Sequence, residues 1–260
     1  MGLVLNPGDL APGDQESVLF NWTGFEIIKI SSTADPLFER VYQKLWEEFG
    51  AKGELETRQV LRDRLSWDGH LKYEMIAVLY QKKIIAARDH TAILSEDVAI
   101  VHLSHVWIDP EFRGQGLVGW LRAWPIQPAC EKSSITLAAE MEPFDVAFPD
   151  RLARLKSYQN AGFQRVDVDY WQPDFRSPVT IDAAGGPQPL PLKLILRRCG
   201  KETESYMTGA ELRRTVTALY SMYSATFRKQ DMVPLWNHLK TSYPPDDASI
   251  GLLKPLDSTE

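Results

Sequence analysis

The chain has 260 residues, 44% apolar, 25% charged and 10% aromatic, the composition of a globular protein with room for one large domain or a domain plus an extension. Its formal net charge of −6 argues against a general nucleic-acid binder, which would carry a basic excess or patch; it suits a cationic substrate such as an amine. No apolar run is long enough to span a bilayer. Cys130 and Cys199 are too few for a disulfide framework. The opening segment MGLVLNPGDLAPGDQ has neither a basic stretch nor an apolar run of signal-peptide type. A reduced, cytoplasmic setting is therefore expected, and the sequon Asn21-Trp22-Thr23 is set aside as a chance match.

Residues 1–23 hold two Pro-Gly turns and little periodicity, and read as a tail or covering arm. Phe25–Ile30 is a strand candidate. Asp35 then caps a helix with Pro36 at its first position, and Phe38, Val41, Tyr42, Leu45, Trp46 and Phe49 make its apolar stripe up to Gly50. A second helix is expected from about Thr57 to Leu65. Tyr73–Tyr80 and Ile84–Leu94 read as strands joined by a polar turn at Gln81-Lys82-Lys83, followed by a strand over Ala99–Ile108 that Asp109-Pro110 stops. Helix is expected from Gly116 until Pro125, then a short strand over Ile135–Ala139. Asp150 is expected to cap a helix bearing Leu152, Leu155 and Tyr158, with Gly162 ending it. Gln164–Trp171 and Leu190–Arg197 read as two last strands around a Pro/Gly-rich connection from Pro173 to Pro189, a length that often carries function. The order is β-α-α-β-β-β-α-β-α-β-β, a mixed α/β layout.

After Gly200 only helices are expected. Thr208 and Glu211 form a capping box ahead of Leu212, Val216, Leu219, Tyr220, Tyr223 and Phe227 at helical spacing. Asp231 is expected to cap a further short helix with Leu235, Trp236 and Leu239. That stripe must be buried, either on the chain's own α/β part or in a homodimer through the C-terminal helices.

The segment from Ser104 to Gly119 carries the chemistry. It runs strand, turn, glycine loop, helix. Gly114 and Gly116 remove side chains so that backbone N–H groups can converge on an oxyanion, the helix start adds unpaired N–H groups, and Arg113 adds a charge-assisted donor. A pyrophosphate is the kind of group that fits. The loop lacks the Lys-Ser/Thr pair of a P-loop. Gly114, Gly116 and Gly119 satisfy the bare G-x-G-x-x-G string, but the order of elements is not that of a βαβ dinucleotide site.

Asp109-Pro-Glu-Phe-Arg113-Gly-Gln-Gly116-Leu resembles the acetyl-CoA-binding motif of the GNAT (Gcn5-related N-acetyltransferase) superfamily, Arg/Gln-x-x-Gly-x-Gly/Ala, with Val118 standing where the family has Gly or Ala. Tyr158-Gln-Asn-Ala-Gly162-Phe163 resembles a second family element. The resemblance covers about Phe25 to Arg198. It implies a mostly antiparallel central sheet with flanking helices, an acyltransferase domain over 24–200 and a helical extension over 201–260. It also implies acetyl-CoA as acyl donor, held by Val106, Trp107 and Ile108 along the pantetheine arm and by Arg113, Gly114, Gln115, Gly116, Leu117, Val118 and Gly119 at the pyrophosphate. Tyr158 matches the family tyrosine near the CoA sulfur, the candidate acid for the departing thiolate. His102 stands where some members carry a glutamate base. Glu140 and Glu142 share a face of their strand and could bind or deprotonate an amine. His102 and His105, three apart on a strand, are expected on opposite faces, which disfavours a shared metal.

Three functions are carried forward. The first is acyl transfer from CoA to a small-molecule or peptide amine, with no nucleic acid or membrane involved. The second is a non-catalytic acyl-CoA-binding or regulatory module. The third is an interaction protein working through its C-terminal helices.

Overall fold

The structure is a computed structural model that describes residues 24–123, 129, 131–143, 145, 147–175 and 189–257. The expectations for the 1–23 tail, the Pro125 stop, Cys130 and the middle of the Pro/Gly connection fall outside the described residues. The fold is mixed α/β with a mostly antiparallel sheet and flanking helices, as the sequence predicts. The chain divides into two compact units, 1–135 and 136–260.

The first unit contains β1 (Phe25–Ile30), α1 (Pro36–Phe49), α2 (Arg58–Leu65), β2 (Leu71–Tyr80), β3 (Lys83–Leu94), β4 (Val98–Ile108) and α3 (Leu117–Ala123). β1 to β4 pair in sequence order, each antiparallel to the next. Asp35 accepts from the Leu37 N–H at 2.8 Å with Pro36 behind it, the expected cap. Beyond Gly50 the chain makes one 3-10 turn, and Gly53, at φ 69°, supplies the left-handed residue that stops it. The β2–β3 hairpin turns on Gln81 and Lys82, both at positive φ, and Lys83 already pairs with Tyr80. Both sheet faces are covered, so β3 is almost wholly buried and shows no alternation. One face packs Met75, Ala77, Ala87 and Trp107 under Phe38, Val41 and Leu45 of α1 and Leu61 of α2. The other packs Ile76, Val78 and Ala86 under Leu117, Trp120 and Leu121 of α3.

The second unit contains β5 (Ser134–Met141), α4 (Pro149–Asn160), β6 (Gln164–Val166), β7 (Tyr170–Gln172), β8 (Leu190–Arg198), β9 (Tyr206–Thr208), α5 (Gly209–Ser224), α6 (Lys229–Ser242) and β10 (Ser249–Leu253). β5, β8, β6, β10 and β9 lie side by side in that order, and β7 also pairs with β8.

Four expectations are corrected here. The strand expected over Gln164–Trp171 is two strands. β6 pairs with Leu196 and Ile195, whereas β7 pairs with Leu192 to Leu190 in a register shifted by two, because β10 pairs with Val166 and draws the chain aside there. The segment after Gly200 is not helix alone: β9, only three residues long, and β10 are strands that pair with each other, and β10 also pairs with β6. Asp150 lies in the first turn of α4, whose cap position is Phe148. Asp231 lies in the first turn of α6, gripped by the Arg228 guanidinium at 2.8 and 2.9 Å, and that helix runs fourteen residues rather than a short few.

The capping box forms as expected, with Thr208 accepting from Glu211 N–H at 3.1 Å and Glu211 accepting from Thr208 N–H at 3.1 Å. Leu212, Val216, Leu219, Tyr220 and Tyr223 are fully buried within the single chain. The stripe that admitted a dimer is thus covered by the chain's own residues.

Candidate acyl-CoA loop and reacting groups

The glycine loop is fixed at its base. Asp109 N–H bonds the Ile85 carbonyl at 2.8 Å, its carboxylate receives the Glu111 N–H at 3.1 Å, and Lys83 reaches that carboxylate at 2.9 Å. A 3-10 turn over Pro110–Phe112 follows, then exposed Arg113, Gly114, Gln115 and Gly116. Gly114 and Gly116 sit at φ 77° and 83°, conformations that L side chains rarely adopt. The Trp120 N–H takes the Gly116 carbonyl at 3.2 Å and opens α3. Among the described residues no backbone acceptor meets the N–H groups of Gly114, Gln115 and Gly116. Leu117 is buried and anchors the helix, and the buried Arg88 donates to the Leu121 carbonyl at its far end. Val118 is half-buried and Gly119 exposed.

Arg113 folds back. Its Nε donates to the Ile108 carbonyl at 3.0 Å, and Nη2 lies 3.7 Å from Glu48. The Ile108 carbonyl, expected to serve a pantetheine arm, is held by this side chain. Along β4, Trp107 is in the α1-side core under Lys44, whose Nζ lies 5.6 Å from the ring centre, whereas Val106 and Ile108 pack on the α3 side.

The expectation that His102 and His105 face apart is overturned. His102 pairs with Thr91 and His105 with Asp89, two residues apart on β3, and the register shift between Asp89 and His90 inserts Ser104 as a bulge. The extra residue turns both imidazoles to one face. His102 is buried, with Nδ1 3.1 Å from Ser104 Oγ, a core position rather than an open one for a base. Among the described residues no cluster of three or more His, Cys, Asp or Glu side chains is arranged to hold a metal.

His105 belongs to a buried polar network that the sequence reading missed. Asp89 is fully buried and accepts from the His105 backbone N–H (3.0 Å), the His105 ring Nδ1 (2.9 Å) and the Tyr73 hydroxyl (2.9 Å). His105 Nε2 donates to the Glu54 carbonyl at 2.8 Å. Burial opposes its charge, but the Asp89 carboxylate and these bonds push its pKa up to about 9. The available signal was the polar run Arg88-Asp89-His90-Thr91 inside an otherwise apolar strand.

In the second unit Tyr158 is buried, its ring 4.9 Å from Phe163 in a T-shaped contact, and Gly162 at φ 79° ends α4. Glu140, half-buried on β5, accepts from the hydroxyls of Tyr170 on β7 and Tyr223 on α5, one to each oxygen. Burial and the neighbouring Glu140 charge hold the Tyr170 phenol well above its usual range. Glu142 is taken up by Arg154 at 3.0 Å and Arg151 at 3.3 Å of α4.

No protein-family profile and no curated protein matches the chain. Solved structures do. An acetyltransferase of the GNAT family from Bacteroides thetaiotaomicron is 19% identical at TM-score 0.46, over 66% of this chain and 85% of that one. A GNAT family acetyltransferase from Elizabethkingia anophelis with acetyl-CoA bound is 14% identical at TM-score 0.42, over 67% and 98%. An aminoglycoside acetyltransferase from a soil metagenomic sample, in complex with sisomicin, is 15% identical at TM-score 0.38, over 52% and 87%. No described helix is long and apolar enough to cross a membrane.

Proposed function

We propose that the chain is an acyl-CoA-dependent N-acyltransferase of GNAT type, transferring acetyl from acetyl-CoA to a primary amine on a small molecule or peptide. The observation that carries this reading is the exposed turn from Arg113 to Gly116, with two left-handed glycines and, at Gly114 to Gly116, backbone N–H groups that meet no backbone acceptor among the described residues. In this reading Arg113 to Gly119 receive the pyrophosphate, with Arg113 swinging from Ile108 to join them, and Val106 to Ile108 line the pantetheine arm. The neutral amine attacks the thioester carbonyl carbon, the C–S bond breaks, the thiolate takes a proton from the Tyr158 hydroxyl, and the proton shed by the new amide nitrogen passes to water, from which Tyr158 is reprotonated. Glu140, its oxygens already engaged by two hydroxyls, attracts the acceptor in its ammonium form as a fixed anion, and the amine loses its proton to water before it attacks. Residues 24–200 carry the activity, 201–260 support it, and the setting is the cytoplasm.

Calorimetry with acetyl-CoA, followed by a panel of amines with free thiol as readout, tests the reading; no binding would sink it. A second reading has an observation in its favour: His102 is buried, so an acyl-CoA-binding module without turnover fits as well. Binding with no thiol release for any amine would select it.

A further inference from the structure

We propose that His105 is a positioning residue held as a buried imidazolium, and that its Nε2–H bond to Glu54 pins the segment between α1 and α2 onto the sheet. The hydrogen-bond pattern fixes the protonation state. The Glu54 carbonyl can only accept, and Asp89 already accepts from a backbone N–H and a tyrosine hydroxyl, so both ring nitrogens must carry hydrogens. Charge balance agrees. Facing His105 are Asp89 from β3 and Tyr73 from β2, with Glu56 and Arg64 beyond them, buried at 6% and 2% exposure and paired with each other. Arg64 also lies 6.0 Å from the Tyr73 ring centre. With His105 protonated, the Asp89 and Glu56 carboxylates meet His105 and Arg64; the fully buried Arg88 also bears on Asp89 and is itself countered by Glu74. From α1, Phe49 brings only its ring, 5.0 Å from the imidazole.

Removing one proton decides which bond is lost. The N–H facing the carboxylate is the charge-assisted and stronger one, so the neutral ring keeps Nδ1–H and turns a lone pair on Nε2 towards the Glu54 oxygen. Two acceptors then face each other, and the segment from Gly53 to Thr57 lets go. If the chain is the acyltransferase proposed above and its acceptor lies against this segment, His105 sets amine recognition rather than acetyl-CoA binding; that clause rests on the proposed function, whereas the imidazolium and the tether do not.

Long-range nitrogen NMR of the full chain reads both ring nitrogens directly. His105 is expected to carry two N–H groups at pH 7.5 and to titrate near 9, well above an ordinary histidine. Hydrogen exchange at Leu55 to Thr57, corrected for intrinsic rate, should lose protection with the same midpoint. A neutral His105 tautomer at pH 7.5, or protection indifferent to its titration, overturns the proposal. Both measurements use the unaltered chain, so they stand even where His105→Gln fails to fold. Where it folds, it should raise KM for an accepted amine about tenfold, inside the ~10²-fold that a small misplacement costs, with KM for acetyl-CoA unchanged. Equal changes in both constants would reduce His105 to a general stability role. Titration near 9 with no turnover on any amine would count against the acyltransferase reading and leave the tether standing.

Discussion

Replacing Gly116 with Val separates an anion-binding loop from an ordinary strand-to-helix turn. Gly116 sits at φ 83°, and a Cβ built on it meets nothing within 4 Å. The cost to the unliganded fold is therefore conformational, roughly 1–3 kcal/mol for a β-branched residue held there. If the backbone relaxes instead, φ swings negative and the Gly116 N–H turns out of the loop. Acetyl-CoA at a hundred times its Kd stabilises a one-site protein by about 2.7 kcal/mol. At ~2–4 °C per kcal/mol for a chain of this size, that is a melting shift of about 5–11 °C. Gly116→Val is expected to lower the unliganded Tm by a comparable amount and to abolish most of the ligand shift. Gly69→Val is the control, because Gly69 has φ 77°, equally open space around its Cβ and a position away from the loop. It should lower Tm similarly and keep the full shift. Differential scanning fluorimetry with and without acetyl-CoA reads all four states. A full shift in Gly116→Val, or its loss in Gly69→Val, would refute the assignment of the loop.

Tyr158→Phe should slow acyl transfer by about 10²–10⁴-fold with acetyl-CoA affinity nearly unchanged, since it removes a proton donor and little volume; single-turnover kinetics within twofold of the parent would leave Tyr158 as a packing residue. Truncation after Gly200 should give an insoluble or unfolded second unit. Leu212, Val216, Leu219, Tyr220 and Tyr223 are each fully buried, and at about 1.5–3 kcal/mol per large apolar side chain their loss rivals the ~5–15 kcal/mol of a whole domain. A soluble fragment with an unchanged melting profile would contradict that burial. The raised pKa of His105 gives stability that is full below its ordinary value near 6.5 and is lost as pH rises through about 9. Urea midpoints should fall between pH 6.5 and 9.5; a flat profile there would show that His105 titrates alike in the folded and unfolded chain.

What the sequence determined by itself is local. The Asp35-Pro36 start, the α1 stripe, the Thr208–Glu211 box and the glycines of the 113–116 turn are each set by residues within a turn or two of one another, and periodicity and capping read such features directly. The candidate acyl-CoA loop was legible for that reason. What only the tertiary structure decided is whatever depends on register. One inserted residue at Ser104 puts His102 and His105 on the same face, and a strict two-residue alternation cannot foresee it. β9, three residues long, carries no pattern of its own, and the short alternation of β10 becomes a strand where β6 and β9 pair with it. Glu140 looks like a strand-end carboxylate until Tyr170 and Tyr223 arrive from 30 and 83 residues away to occupy both of its oxygens. The Asp89–His105 network is likewise assembled from α2, three strands and a loop. Buried charge is stable only where partners converge on it, and that convergence comes from packing rather than from any one segment of sequence.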